Sequence, residues 1–229
     1  MDAVTCMDTV NDLKKMLSGS LNIGITYTFA PILTETVIAF TKAHPAVKLN
    51  IFYKTMEELM SMLEKRELDF VLSFKPSSVH PAIESHVLFD NNLSVIVNRY
   101  HPLAEKEKIT LQDILPHGIA MPAKGLQSRN EFDKLYPSAY NQMKVRMELN
   151  EVNVLLDIVR GSSLITILSE AVIHQTNGLV AIPFDVPDNI MVGCVHTERG
   201  AYRKKAAEEF IRMLQESEAV RERAIQWLE

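Results

Sequence analysis

Hydrophobic positions recur along this chain in two alternating rhythms. From residue 21, short runs of β type, LNIGI (21 to 25), VKLNIFY (47 to 53), LDFVLSF (68 to 74) and LSVIV (93 to 97), are separated by stretches whose apolar residues return every three or four positions. After LNIGI, Pro31 sits where a first helical turn tolerates it, and Ile32, Leu33, Val37, Ile38 and Phe40 follow at helical spacing. His44-Pro45 ends that helix, because the residue before a proline is pushed out of the α region. Thr55 with Glu58 forms an S/T-x-x-E capping box, opening a helix with the stripe Leu59, Met60, Met62 and Leu63. The first hundred residues thus read β-α-β-α-β with one further strand.

A second round begins after the turn-rich NRYHPLAEKEK (98 to 108), the strongest boundary signal in the chain. Thr110 with Asp113 caps a short helix, GIAM (118 to 121) reads as a strand, and Ser128 with Glu131 reads as another capping box. KVRMELN (144 to 150) alternates as a strand, 152 to 160 is helical, and Gly161 is the expected left-handed stop. SLITIL (163 to 168) reads as a buried strand with Ser169 capping the next helix, and LVAIPF (179 to 184) and NIMVGCV (189 to 195) are strands. The last helix begins near Tyr202 and carries Ala207, Phe210, Ile211 and Leu214 on one apolar stripe. Strands alternating with helices predict parallel α/β architecture, here in two lobes.

Composition narrows the function classes. A hydrophobic share of 47% and a charged share of 23% over 229 residues are those of an ordinary globular chain. The net charge of −5 argues against broad capture of nucleic acid, which needs a basic face. No stretch approaches the roughly 18 apolar residues of a membrane span, and MDAVTCMDTV lacks the basic flank and apolar core of an export signal, so the expected location is the cytoplasm. Cys6 and Cys194 read as free thiols. The seven histidines never fall at i, i+4, and no nucleotide, hydrolase or zinc-protease signature is present, so neither a metal, a cofactor nor catalysis is expected.

What stands out is a set of polar strand-to-helix junctions. Thr26, Tyr27 and Thr28 follow the first strand, Ser73 and Phe74 end the third, KGLQSR (124 to 129) precedes a helix, and Thr166 lies before Ser169. In open α/β sheets ligands bind beyond the carboxyl ends of strands, where helix N-termini favour anionic groups. Each junction also has a plainer reading: Thr26 and Thr28 can cap the helix at Pro31, and Ser128 its own helix. Met56, Met60 and Met62 read as core or as an oligomer face.

Four ordered motifs carry a resemblance. LNIGITYTFAPILTETVIAFTKAHPAVKLNI, ELMSMLEKRELDFVLSF, VIVNRYHPLA and MELNEVNVLLDIVRGSSLITILSEAV resemble the effector-binding domain of LysR-type transcriptional regulators, over about 21 to 215. The second of these is similar to the family's L…L…G-E-L-D-x-A-I. The chain departs from the family's G-x-G-I at Gly161, Ser162, Ser163 and Leu164, and from its L-P at Leu168-Ser169.

The resemblance implies a type II periplasmic-binding-protein-like fold, two α/β lobes joined by two crossover strands with an effector in an interlobe cleft. Lobe I would take 21 to 97 plus 198 to 229, lobe II 98 to 197, with crossovers near Asn98 and His196. Ligand-binding positions carried over are Thr26, Tyr27, Thr28, Ser73, Phe74, Gly125, Leu126, Gln127, Ser128, Asn150, Val152 and Thr166. The implied function is sensing of a small polar or anionic metabolite by a homodimeric regulator, with the helix from Pro31 and the strand from Val47 as candidate interface. DNA would be contacted only through a separate winged helix-turn-helix domain outside this chain. Residues 1 to 20, including VNDLKKML (10 to 17), would be the remnant of a linker helix or a tail. A transport-type solute-binding protein and an enzyme on the same fold are the alternatives.

Overall fold

A parallel pair, β1 (Gly19–Ile25) and β2 (Val47–Tyr53), runs in register from Gly19 opposite Val47 to Ile25 opposite Tyr53. The structure, a computed structural model, describes residues 17 to 76, 81 to 173, 178 to 187 and 189 to 225. Most of the segment expected to be a linker remnant lies outside them. On its other side β1 pairs in parallel with β3 (Phe70–Phe74), which meets β10 (Met191–Glu198) antiparallel, and β4 (Ile83–Asn91) closes the order β2-β1-β3-β10-β4.

Strand alternation sends successive side chains to opposite faces, and each face has its own helical cover. On one face Val71 joins Leu59 and Leu63 of α2 (Met56–Glu64), with Leu68 and Ile83. Gly24 faces the same way, and a Cβ there would lie 2.7 Å from Leu68 and 2.8 Å from Leu59, so glycine lets α2 close on the sheet. On the other face the ring of Phe70 stands 5.7 Å from Phe210 of α6 (Lys205–Glu216), itself 5.0 Å from Phe40 of α1 (Ala30–Ala43). All three phenylalanines are fully buried, and truncating such a side chain costs about 3 to 5 kcal/mol.

Asp69, just before β3, ties several parts of this sheet together. Its carboxylate accepts from the backbone N–H of Asn22 at 2.7 Å and pairs with Lys204 at 3.2 Å, and the Lys204 ammonium also donates to the carbonyl of Ser20.

The second sheet region contains β5 (Leu93–Asn98), flanked antiparallel by β8 (Thr166–Ser169) and β9 (Leu179–Pro183). β6 (Gly118–Pro122) and β7 (Lys144–Leu149) pair in parallel, and Ile119 bridges Ile165 in parallel just ahead of β8. The carboxyl ends of β7, β6 and β8 therefore share one edge. α3 (Leu111–Ile114), α4 (Gln127–Leu135) and α5 (Val152–Arg160) complete this region, while α7 (Glu218–Ile225) comes after α6 and a break at Ser217.

The chain divides into two units, one built from residues up to Phe89 and from Val192 on, the other from Asp90 to Met191. The crossings fall earlier than the 97/98 and 197/198 expected: β5 hydrogen-bonds with β8 and β9 and so belongs to the second unit, and β10, which pairs with β3, belongs from Val192 to the first. β4 is not announced by the sequence: Glu84, Ser85, His86 and Asp90 interrupt its apolar alternation.

Several local expectations change. Gly161 ends α5 at φ −94°, ψ 5°, so it is not a left-handed stop. Ser128 does not cap α4; the N-cap is Leu126, which offers no side-chain bond, and Ser128 lies inside the first turn. The box at Thr55 and Glu58 forms, as does the pairing of Thr110 with Asp113. The helix expected at Pro31 is preceded by a 3-10 turn over Tyr27–Phe29; Thr26 holds the N-cap position of that turn without a side-chain bond, and the N-cap of the helix is Phe29, not Thr26 or Thr28.

Candidate functional site

In the first unit, the residues expected to bind ligand gather at the adjacent carboxyl ends of β1 and β3. The backbone N–H of Thr26 donates to the carbonyl of Leu72 at 3.1 Å, holding the turn after β1 against β3. Thr26 is 6% exposed, and its hydroxyl oxygen is buried with no hydrogen-bond partner among the described residues. Such a group loses hydration with nothing in return, at a cost of about 1 to 3 kcal/mol. Tyr27, half-buried, stacks on Tyr53 at the end of β2, with centroids 5.6 Å apart and planes at 28°. Burial, followed by the nearby Tyr27 phenol, raises the pKa of Tyr53.

Ser73 is fully buried, and its hydroxyl reaches the Met56 sulfur at 3.1 Å and the Phe74 carbonyl at 3.3 Å. Phe74 is buried against Phe29, ring edge to face at 5.0 Å. Thr28 is buried as well.

In the second unit, β6 and β7 end together, since the N–H of Ala123 donates to the carbonyl of Leu149 at 2.9 Å. The loop after β6 turns at Gly125, whose φ of 94° lies in the left-handed region that favours glycine. Leu126 and Gln127 then open α4, half-buried, and Ser128 is buried, its hydroxyl accepting from the N–H of Ser169 at 3.1 Å. That bond ties the start of α4 to the end of β8. Asn150 is exposed after β7, and Val152 is buried at the first position of α5.

Thr166, fully buried in β8, repeats the pattern of Thr26: its hydroxyl has no partner among the described residues. Ser94 in β5 is likewise buried and unpartnered. Thr166 lies opposite Ile96 and Ser94 opposite Leu168, so the two hydroxyls project from one face, on neighbouring strands. In the same unit, Asn91 accepts from the Ser169 hydroxyl and, at 3.0 Å, from the N–H of Ala171.

Arg129 is 2% exposed and committed to structure. Its guanidinium donates to both oxygens of Asp133 and to Glu148, and lies 4.6 Å over the ring of Tyr140. Among the described residues no group of histidine, cysteine or carboxylate side chains is arranged to hold a metal ion.

Sequence reasoning missed Tyr53, Met56 and Ser94 as neighbours of these positions. Tyr53, at the end of β2, and Met56, at the start of α2, could have been found from the rule that ligand sites form where strand carboxyl ends cluster. Ser94 carried no signal, because a lone serine in an apolar strand looks like any other.

The family model described as LysR substrate binding domain matches residues 14 to 219. Among curated relatives, the HTH-type transcriptional activator CmpR of Synechocystis is 23% identical over 184 residues, covering 78% of this chain and 60% of CmpR. The RuBisCO operon transcriptional regulator of Allochromatium vinosum is 25% identical over 217 residues, covering 90% of this chain and 72% of the relative. The chain thus spans about two thirds of the length of these regulators.

Among solved structures, the Synechocystis PCC6803 CcmR regulatory domain in complex with 2-PG superposes with a TM-score of 0.75 at 20% identity, covering 87% of this chain and 97% of that one. The effector binding domain of QuiR in complex with shikimate gives 0.69 at 21%, covering 90% and 97%. The fold is therefore that of LysR effector-binding domains, the type II periplasmic-binding-protein-like arrangement expected from the sequence.

Proposed function

Since the chain belongs to the LysR substrate-binding domain family, we propose that it senses a small polar or anionic metabolite on behalf of a transcription regulator. The observation that carries this reading is that, of the four buried hydroxyls without a partner among the described residues (Thr26, Thr36, Ser94 and Thr166), two fall on positions carried over from the family, Thr26 and Thr166. Thr26 follows the end of β1 and Thr166 opens β8, one in each unit, at positions that the family resemblance assigns to the effector. A buried polar group without a partner is rare in a finished structure and has a natural explanation when a ligand supplies the partner. The relatives CcmR and QuiR, solved with 2-PG and shikimate, support a small polar ligand as the class.

The remaining positions fit the same reading. Gly125 to Ser128 bring α4's uncapped N-terminus to the wall of the second unit, and helix N-termini favour anions. Asn150 supplies an exposed amide and Val152 apolar backing. Relatives named as transcription regulators favour this reading over transport of a solute, and we assign the chain no catalytic role. No helix among the described residues is long and apolar enough to cross a membrane, and a regulator of transcription works in the cytoplasm.

The chain acts as a homodimer in this reading, with DNA contacted through a separate domain. β2 is an edge strand, and Ile38 on α1 is 53% exposed. Both fall on the helix and strand expected as the interface, and an exposed apolar side chain and an open strand edge each suit a second copy.

Thermal melting against a broad metabolite set tests the sensing role. A true effector raises the melting temperature in proportion to the logarithm of its concentration above Kd. A set in which nothing shifts the transition refutes it. Native mass spectrometry reads oligomeric state and any retained ligand together, and a monomer at high concentration refutes the dimer.

A further inference from the structure

The wall of the first unit says what kind of molecule it suits. Its side chains are Thr26, Tyr27, Tyr53, Met56, Ser73 and Phe74, and none of them carries a charge. Of the two lysines that adjoin them in the chain, Lys54 is paired with Glu58 at 3.1 Å and Lys75 is exposed beyond the end of β3. What the wall does offer is aromatic surface. Ile25 and Tyr53 are register partners, so Tyr53 stands at the same level as the end of β1, and Tyr27 folds over it in an offset stack. Tyr53 is 40% exposed, so part of the stack remains open. The same strand ends carry one unpartnered buried hydroxyl, on Thr26, and the thioether of Met56 against Ser73.

An open tyrosine stack with a single unpaired hydroxyl has a definite preference. Aromatic rings gain from a further flat ring laid on them beyond the area they bury. Tyrosine presents that surface at low entropic cost, having few rotatable bonds. Ligand pockets are typically apolar and aromatic, with a few placed polar groups fixing orientation. An acyclic acid gains less from such a wall than a ring acid of the same charge, because it has no face to stack.

We infer that the effector bears a ring, aromatic or alicyclic, which lies on the Tyr27 and Tyr53 stack, and that a substituent of that ring bonds the Thr26 hydroxyl. This rests on the effector-sensing reading above, and adds that Tyr27 and Tyr53 set specificity.

The test is melting of the purified chain with two matched sets of acids at equal concentrations, benzoate, cyclohexanecarboxylate and shikimate against acetate, glycolate and succinate. Ring acids are expected to bind at least tenfold more tightly, read from the concentration dependence of the shift. Tyr27→Leu is expected to bring that ratio close to one, and Tyr27→Phe to preserve it. Tyr53→Leu, at the more exposed position, gives the same readout should Tyr27→Leu fail to fold. Acyclic acids binding as well as ring acids would overturn the ring assignment and leave sensing standing. A ratio that survives both leucine variants would overturn the role of the stack. No response to either set would count against sensing itself, and the ring assignment would fall with it.

Discussion

The ring of Phe89 occupies the space into which a Cβ on Gly193 would point. Three of its atoms lie 2.7 to 2.9 Å from that position, closer than real Cβ contacts come. The two residues sit on β4 and β10, adjacent strands of the first unit, at the points where the chain is about to leave that unit and has just returned to it. Phe89 is 3% exposed and also contacts Phe29 at 5.5 Å, so it has little freedom to withdraw. Gly193→Ala is therefore expected to destabilise the protein by about 1 to 3 kcal/mol, the range for overpacking. Urea denaturation measures it, and an unchanged midpoint would contradict the packing argument.

The unpartnered hydroxyls make an unusual prediction. If Thr26 and Thr166 keep bare hydroxyls for a ligand, removing those hydroxyls removes a desolvation cost from the free protein. Thr26→Val and Thr166→Val replace the oxygen by a methyl group of similar size, at extended backbone that suits valine. Each is expected to raise stability by about 1 kcal/mol while abolishing the effector's stabilising shift. A valine variant that melts lower than the parent would indicate a structural role for the hydroxyl instead.

His196 supplies a pH dependence. It is fully buried on β10, with Nδ1 2.8 Å from the Ser85 hydroxyl and Nε2 3.3 Å from the Ser73 carbonyl. Burial holds its pKa at about 4, although the carbonyls of Ser73 and Phe74 favour the charged form; nearby His86 adds to the depression. The unfolded chain takes up this proton near pH 6.5, the folded chain only near 4, so folding stability from this group is complete above 6.5 and declines as pH falls towards 4. Between about pH 6.5 and 5 the loss is expected to be about 2 kcal/mol. Glu58 and Asp113, held at about 2 chiefly by hydrogen bonds, act at lower pH and do not mask it. Denaturation midpoints of the parent and His196→Gln across this range should diverge, and parallel curves would refute the assignment.

Arg66 sits at φ 61°, in the left-handed region, at the place where the similar family motif G-E-L-D has its glycine. The arginine returns something for the strain, since its guanidinium holds Glu198 through both carboxylate oxygens, at 2.9 and 2.8 Å. Arg66 is largely exposed, and pairs of that kind are worth about 0 to 1 kcal/mol. The backbone strain is of order 1 to 2 kcal/mol. Arg66→Gly is thus expected to be neutral or stabilising by up to about 1 kcal/mol, and Arg66→Ala, which keeps the strain and loses the pair, to be destabilising. Thermal melting of the two variants distinguishes them.

Much of this protein could be read along the chain. β1, β2, β3, β5, β6, β7 and the helices α1, α2 and α5 follow from local periodicity and from signals such as Pro31, His44-Pro45 and the Thr55 box, because hydrophobic spacing and capping act over a few residues. The candidate positions Thr26, Ser73 and Thr166 were legible for the same reason, as polar residues in or beside strands. Their roles were not. Thr26 resembles a cap until the 3-10 turn over Tyr27–Phe29 comes between it and the helix that starts at Ala30; its hydroxyl is then left without a donor to meet. Ser128 reads as half of a capping box, yet its hydroxyl is spent on the N–H of Ser169, 41 positions away.

Sequence alone thus determined most of the strands and helices, β4 excepted, the family, and which junctions are polar. Tertiary structure decided which hydroxyls are satisfied, which strand Phe89 presses upon, and that Tyr27 finds Tyr53. Those outcomes depend on strand order and register, β2-β1-β3-β10-β4 in the first unit, which bring together residues far apart in the chain. Burial then makes each such meeting count, since a polar group taken from water must find its partner across the fold or do without.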